Sequence, residues 1–215
     1  RADTVTGWLR RNRIGLALVP VALVAGLAGN ASRLSDYWWA VDLHAHQSAG
    51  SDGVVHFRDR YDDGHVRYPI ETDVSLISVT RVTGVTIDGK PHPVSIPDSS
   101  QLWEVTTHWD ADPGIALSLC TLGIEGTDGR YWERSQPDPI QVTDAVIPYS
   151  ACAPDATPGP MPPIPPKTQL VQPAPKDVRP RSYDVTTWIV TAKNAVPAEI
   201  RIWWVKPTYA ALFVR

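Results

Sequence analysis

The chain has few of the features that indicate a chemical reaction. Its 215 residues include two cysteines, one methionine and two phenylalanines, and its formal net charge is -3. Without a basic excess, the surface has no general attraction to nucleic acid. The sequence contains no G-x-S-x-G elbow, no glycine-rich phosphate loop and no C-x-x-C-H haem motif. We therefore predict a non-catalytic protein with no cofactor and no nucleic-acid partner.

Residues 14–32 form an uncharged run of nineteen residues between two arginines. A helix of this length covers about 28 Å, close to the hydrocarbon thickness of a bilayer. A cleaved signal peptide is the alternative, because the small residues "AGNA" at 28–31 offer a cleavage site. The length of the run favours a retained membrane anchor, and we place the transmembrane helix at residues 14–35.

Aromatic residues flank this run on both sides. Trp8 precedes it, and Tyr37, Trp38 and Trp39 follow it. Tryptophan and tyrosine concentrate at the headgroup level of membranes. We therefore expect these four side chains at the membrane interfaces.

The basic residues predict the orientation of the span. Arg10, Arg11 and Arg13 precede it, whereas the residues that follow it carry no basic excess. Positive charge is retained on the cytoplasmic side. We predict a single-pass protein of the inner (plasma) membrane, with residues 1–13 cytoplasmic and the bulk of the chain extracytoplasmic.

Small residues and a proline give the span an unusual surface. The candidates for helix packing are Gly15, Pro20, Ala22, Gly26 and Gly29. Small side chains allow membrane helices to approach closely, and an interior proline removes one backbone hydrogen bond and kinks the helix. We expect this helix to pack against other membrane helices; the alternative is that alanine and glycine are simply common in short spans.

The rest of the chain is predominantly β in pattern. Turn signals at "IDGK" and "TDGR" separate segments rich in β-branched and alternating residues. We predict an immunoglobulin-like or similar β-sandwich, formed by residues 36–152 and completed by residues 181–215. The predicted strands lie at 74–87, 101–109, 115–124, 140–149, 183–193 and 198–206. The charged stretch 51–65 is interpreted as a solvated turn region.

A proline-rich segment, residues 153–180, interrupts the β pattern. It contains ten of the 21 prolines. Such a segment favours the extended polyproline II conformation. We predict an extended arm; a flexible linker is the alternative.

The two cysteines, Cys120 and Cys152, predict a disulfide. An even cysteine count behind an export signal is typical of a bridged extracytoplasmic domain. Two separate buried thiols are the alternative.

The stretch "DLHAH" at 42–46 is the most enzyme-like feature. In a strand, His44 and His46 would project to one face and could chelate zinc or copper. A third ligand at a diagnostic spacing is missing from the sequence. We therefore assign no metal and keep the two histidines as weak candidates.

The overall plan resembles a family of accessory subunits, the predicted respiratory supercomplex association factors of mycobacteria. The shared features are a basic N-terminus, one span, an external β domain, and an arginine-rich composition resembling that of actinobacteria. Those subunits belong to electron-transport assemblies that join a cytochrome bcc complex to an aa3-type oxidase. The resemblance implies oxidase and cytochrome subunits and the lipid bilayer as partners, and it carries over no functional residues. The alternatives are an anchored assembly or binding factor of another envelope complex, and a metal-dependent envelope enzyme using His44 and His46.

Overall fold

A computed structural model describes residues 2–34, 37, 39–134, 139–148, 150–162, 169–174 and 177–214. The protein is mainly β, with its helical residues near the start of the chain. It divides into two units, Arg1–Asp42 and Leu43–Arg215. The first unit holds the helices and the second holds the strands.

The helices are α1, Ala2–Arg11, and α2, Arg13–Leu34. The amide of Asn12 donates to the Trp8 carbonyl, and the amide of Leu16 donates to the Asn12 carbonyl. Helical hydrogen bonding therefore continues through the single residue between α1 and α2. The second helix differs by one residue at each end from the predicted span and is long and apolar enough to cross a membrane.

The described residues of the second unit form three sheets. The five-stranded sheet has the order β1-β12-β11-β7-β8, the four-stranded sheet β10-β6-β3-β2, and the three-stranded sheet β4-β5-β9. Neighbouring strands are antiparallel, except that β1 and β12 are parallel. The strands are β1 Ala45–Ser48, β2 Val54–Asp62, β3 Arg67–Val82, β4 Gly84–Ile87, β5 Lys90–Ser95, β6 Ser100–Asp110, β7 Thr121–Gly126, β8 Tyr131–Glu133, β9 Gln141–Val142, β10 Ser182–Ala192, β11 Pro197–Trp203 and β12 Thr208–Phe213.

The main core lies between the two larger sheets, which form a sandwich-like pair. Alternate residues of each strand point into this core, as the period of two in a strand requires. The five-stranded sheet contributes Ile200 and Ile202, and the four-stranded sheet contributes Phe57 and Trp109. Trp204, which directly follows β11, connects the two sheets, because its ring stacks on that of Phe57 with the ring centroids 5.3 Å apart.

The strands after the proline-rich arm pair with strands that precede it. Strand β10 follows β6 residue by residue from Ser182 to Ala192, and β11 lies at the centre of the five-stranded sheet. In the segment 198–206, Trp204 joins the main core, whereas Trp203 lies in a separate buried cluster with Tyr209. Both tryptophans are therefore buried within this unit.

Three expectations about strands are wrong. In the described part of the segment 140–149, only Gln141–Val142, which is β9, is a strand. The stretch 51–65 is not a turn region throughout, because β2 occupies most of it, with Val55 and Phe57 fully buried. Charged residues at the intervening positions of this edge strand obscure the pattern. In the segment 115–124, only the second half is a strand, since β7 begins at Thr121.

The described parts of the arm lie against the β domain. Met161 and Val171 form an antiparallel bridge with two backbone hydrogen bonds of 3.0 and 2.9 Å. Leu170 packs on the main core. The described part of the arm therefore makes a backbone pairing and one apolar contact with the β domain, in addition to what the polyproline II conformation predicts.

Candidate functional site

One face of α2 carries the small residues Gly15, Ala22, Gly26 and Gly29. At 3.6 residues per turn, these positions fall within an arc of about 60°. Among the described residues, no atom lies within 4 Å of a Cβ placed on any of the three glycines. This small-residue face therefore leaves room for the close approach of another helix. Pro20 lies about 160° from Ala22, on the opposite face.

The aliphatic side chains of α2 have no cover within the chain. None of the nineteen residues Arg13–Ala31 is buried. A soluble helix with this composition would be buried in a core. The exposed apolar surface is therefore suited to a hydrocarbon environment or to other apolar helices.

Three of the predicted interfacial aromatic residues are described, and all three are exposed. The exposed fractions are 57% for Trp8, 73% for Tyr37 and 68% for Trp39. They lie on either side of the apolar run, where headgroups would contact them if α2 spans a bilayer. Trp38 lies outside the described residues.

The two cysteines form a disulfide, with their Cα atoms 6.1 Å apart. Cys152 is fully buried, and its carbonyl accepts a hydrogen bond of 2.9 Å from the Tyr183 hydroxyl. The Ser150 hydroxyl accepts hydrogen bonds from the amides of Cys152 and Ala153. The bridge therefore fastens the loop before β7 to the beginning of the proline-rich segment.

A buried arginine holds the other end of that segment. The Arg179 side chain donates to the carbonyls of Asp112 and Ile115 at 2.8 and 2.9 Å and to the carbonyl of Pro158 at 3.4 Å. Its guanidinium lies 5.7 Å from the ring centroid of Tyr183. Burial lowers the pKa of Arg179. The three carbonyl dipoles and the face of the Tyr183 ring thus offset the cost of removing the Arg179 cation from water.

The outer face of the five-stranded sheet carries a second embedded cation. Arg201 lies over the rings of Tyr131 and Tyr209, at 5.7 and 4.8 Å from their centroids. It pairs with Glu125 and, at 2.7 Å, with Glu199. Burial raises the pKa of Glu199. One guanidinium thus lies among two carboxylates and two aromatic rings on this face.

An open groove of about 540 Å³ lies beside β3 and β12. Its rim includes Ile77 and Phe213, which are 52% and 56% exposed. The pairing of β2 with β3 ends at Ser75, and that of β1 with β12 ends at Ala211. Backbone edges of both larger sheets therefore border this groove.

The outer face of the four-stranded sheet has two different halves. One half is apolar and is covered by the three-stranded sheet, where Leu102 and Trp188 pack with Val85 and Ile140. The other half is polar and exposed. There, alternate residues of all four strands, which face away from the main core, bring histidine, aspartate and serine side chains together.

His108 on β6 joins two residues of β10 in this exposed half. Its Nδ1 lies 2.6 Å from Oδ1 of Asp184, and its Nε2 lies 3.2 Å from Oγ of Ser182. The side chains of His108 and Asp184 are 45% and 59% exposed. None of these three residues was predicted from the sequence, because His108 lies 74 positions from Ser182 and 76 from Asp184 and no local motif marks them.

His56 on β2 forms a second histidine–aspartate group on the same face. Its Nδ1 lies 3.0 Å from Asp73, and its Nε2 lies 3.5 Å from Asp52. Arg58 also contacts Asp73, at 3.2 Å. The hydrogen bond to Asp73, followed by the negative charge of that carboxylate, raises the pKa of His56.

Among the residues that the structure describes, His44 and His46 do not belong to a larger ligand group. Strand β1 begins at Ala45, so only His46 lies within a strand, where its ring is 6.1 Å from that of Tyr209. In the part of the chain that the structure describes, no three side chains of histidine, cysteine, aspartate or glutamate are grouped so as to hold a metal ion. The histidine pair therefore gains no third ligand there.

The structure by itself defines the class of the protein, which is mainly β with one apolar helix. No protein-family model, curated protein or solved structure matches the chain.

Proposed function

We propose that the chain is a membrane-anchored accessory subunit, whose β domain stabilises a membrane protein assembly on the extracytoplasmic side. The observation that carries this proposal is the exposure of helix α2. None of the nineteen residues of its apolar stretch is buried within the chain. A lipid-facing surface and a small-residue face on one helix suit a helix that packs against partner helices.

The orientation is part of the proposal. Arg10, Arg11 and Arg13 precede the apolar stretch, and arginines on the cytoplasmic side would place the β domain outside. The disulfide supports this arrangement, because such bridges persist in oxidising compartments.

For the partner we propose an actinobacterial respiratory assembly that joins cytochrome bcc to an aa3-type oxidase. This choice rests on the resemblance in overall plan to the association factors of such assemblies. A membrane-anchored assembly factor of a different envelope complex is the second candidate, and the same helix would serve it.

Co-purification from mild detergent tests the proposal. The tagged full-length chain should elute with integral membrane subunits, identified by mass spectrometry, and with haem absorbance. Elution with membrane subunits but without haem proteins would overturn the respiratory assignment and leave the accessory role. Elution without any other membrane protein would overturn both.

Matched variants of α2 test the small-residue face. Gly26→Leu places a large side chain on that face, whereas Ala28→Leu makes a comparable change about 160° away from it. We expect the Gly26 variant to remain in the membrane and to lose its partners, and the Ala28 variant to keep them. Equal retention of partners by both variants would show that this face is not the contact.

A further inference from the structure

We propose that Ser182 is an activated nucleophile, served by His108 as general base and held in position by Asp184, and that this group hydrolyses small esters. The inference goes beyond the accessory role and does not depend on it. It opposes the expectation of a non-catalytic chain, and the experiment below decides between the two.

The order of atoms is the first support. Asp184 Oδ1 lies 2.6 Å from Nδ1 of His108, and Nε2 on the far side of the ring lies 3.2 Å from Oγ of Ser182. An ionised carboxylate can only accept, so Nδ1 carries the proton and the lone pair of Nε2 faces Oγ. Nucleophile, base and orienting group are thus within reach of one another, as in a serine hydrolase.

The strand pairing holds this arrangement in place. Asp184 lies directly opposite His108 in the β10–β6 ladder, and Ser182 lies opposite Asp110. The Ala111 amide donates to the Arg181 carbonyl, which makes both opposite pairs non-hydrogen-bonded, the kind in which side chains are closest. Two regular strands therefore position the group more rigidly than loops would.

Two candidate donors to an oxyanion lie near Ser182. Arg181 precedes Ser182, and its Nε lies 3.2 Å from Asp110, the residue opposite Ser182. In addition, β10 is an edge strand, so the N–H of Ser182 faces away from β6. A guanidinium and a backbone donor beside the nucleophile are the groups that stabilise negative charge developing on a carbonyl oxygen.

A shallow depression lies next to this group, and its lining includes Asp110, which is opposite Ser182, and Arg181, which precedes it. Its volume is about 160 Å³, and four carboxylates and two guanidinium groups line it. The carboxylates outnumber the guanidinium groups by two, so a small ester with a positively charged alcohol portion is favoured. The charged lining residues are Arg58, Glu71, Asp73, Asp110, Asp112 and Arg181.

The reaction balances with water as the second reactant. Oγ of Ser182 attacks the ester carbonyl carbon while its proton passes to Nε2 of His108. The tetrahedral intermediate expels the alkoxide, which takes that proton and leaves as the alcohol. Water then attacks the acyl-serine with proton transfer to Nε2, and the proton returns to Oγ as the carboxylic acid leaves.

A fluorophosphonate probe tests the nucleophile in the full-length chain in detergent. We expect peptide mass spectrometry to find the phosphonyl group on Ser182, and the chain to hydrolyse acetylthiocholine faster than p-nitrophenyl acetate. His108→Asn should slow both the labelling and the hydrolysis by about 10²–10⁴-fold, the usual contribution of a general base. Asp184→Asn should also slow labelling, because the tautomer and the orientation of the His108 ring depend on that carboxylate.

His56→Asn is the matched control, because His56 is an exposed histidine of the same face that contacts aspartates. It should leave the labelling rate unchanged. Labelling spread over several serines, no labelling of Ser182, or equal labelling after His108→Asn would overturn the proposal. Ser182→Ala, with an unchanged unfolding midpoint, should abolish hydrolysis; full retention of hydrolysis would overturn it as well.

Discussion

At the scale of single residues, Arg179 makes the most specific prediction about stability. Its side chain is 1% exposed and donates to three backbone carbonyls. Arg179→Met keeps much of the volume but leaves those acceptors without a donor, and unsatisfied buried acceptors are costly. We expect a loss of about 2–4 kcal/mol in the free energy of unfolding, measured by urea titration of the full chain in detergent.

Arg181→Met is the control for that experiment, because this neighbouring side chain is 75% exposed in its ion pair with Asp110. Exposed pairs contribute little, so the change should stay within about 0.5 kcal/mol. Similar losses for the two variants would show that burial of the guanidinium is not the cause.

His56 gives a prediction about pH. Its hydrogen bond to Asp73 raises its pKa above the ordinary value of 6.5, and Asp52 contributes less. Asp73→Asn should therefore lower the pKa of His56 measured by NMR more than Asp52→Asn does. Because the folded pKa is the higher one, this pair stabilises the fold below about pH 6.5 and ceases to do so as the pH rises through the folded pKa. A larger shift for Asp52→Asn would contradict the assignment.

Sequence patterns anticipate residues whose partners are local and miss those whose partners are distant. The Asp88–Gly89 turn between β4 and β5 was predictable because its residues favour the positive φ values of 50° and 72° that it adopts. The contact between His108 and Asp184 was not, because it spans 76 positions and depends on the register of two strands. That register is specified by packing in the core and not by the three polar residues themselves.

At the scale of elements, β2 is a strand whose signal is local. Val55 and Phe57 alternate with charged residues, which is the pattern of an edge strand with one wet face. Adjacent aspartates and a glycine at residues 62–64 mark the turn that follows. The charged residues therefore made this segment resemble a loop. The alternation of apolar and charged residues is the signal that predicts the strand.

The disulfide is the prediction at this scale. Cys120 and Cys152 are 32 positions apart. A cross-link across a loop of this length stabilises the fold by about 4 kcal/mol through the entropy of the unfolded chain. Reduction with a phosphine should lower the unfolding free energy by about that amount, measured by urea titration.

A Cys120→Ala, Cys152→Ala double variant provides the comparison for reduction. Its own stability should be close to that of the reduced protein, and the phosphine should not change it further. A stability equal to that of the oxidised protein would show that the bridge contributes little, as happens when the unfolded chain retains structure.

At the scale of the whole molecule, the apolar helix and the disulfide lead to one prediction about topology. If the arginines before α2 stay in the cytoplasm, the β domain forms its bridge outside, where thiols oxidise. Alkaline phosphatase fused after residue 215 should then be active, and a fluorescent protein that matures only in the cytoplasm should be dark at the same position. The intact mass of the membrane-bound protein should include residues 14–35.

Replacing Arg10, Arg11 and Arg13 with glutamine tests the cause of that topology. The change removes the positive charges before the span, so the phosphatase activity should fall and a fraction of the chains should insert in the opposite direction. Those inverted chains would hold Cys120 and Cys152 in a reducing compartment, so a maleimide should modify both thiols without prior reduction. Replacing Arg58, Arg60 and Arg67 of the β domain with glutamine is the control, since in the sequence these residues come more than about 20 positions after the end of α2, beyond the range in which flanking charges direct insertion. Unchanged phosphatase activity in the first variant, or a mass lacking residues 14–35 in the parent, would overturn the anchor as proposed and favour a cleaved export signal in the latter case.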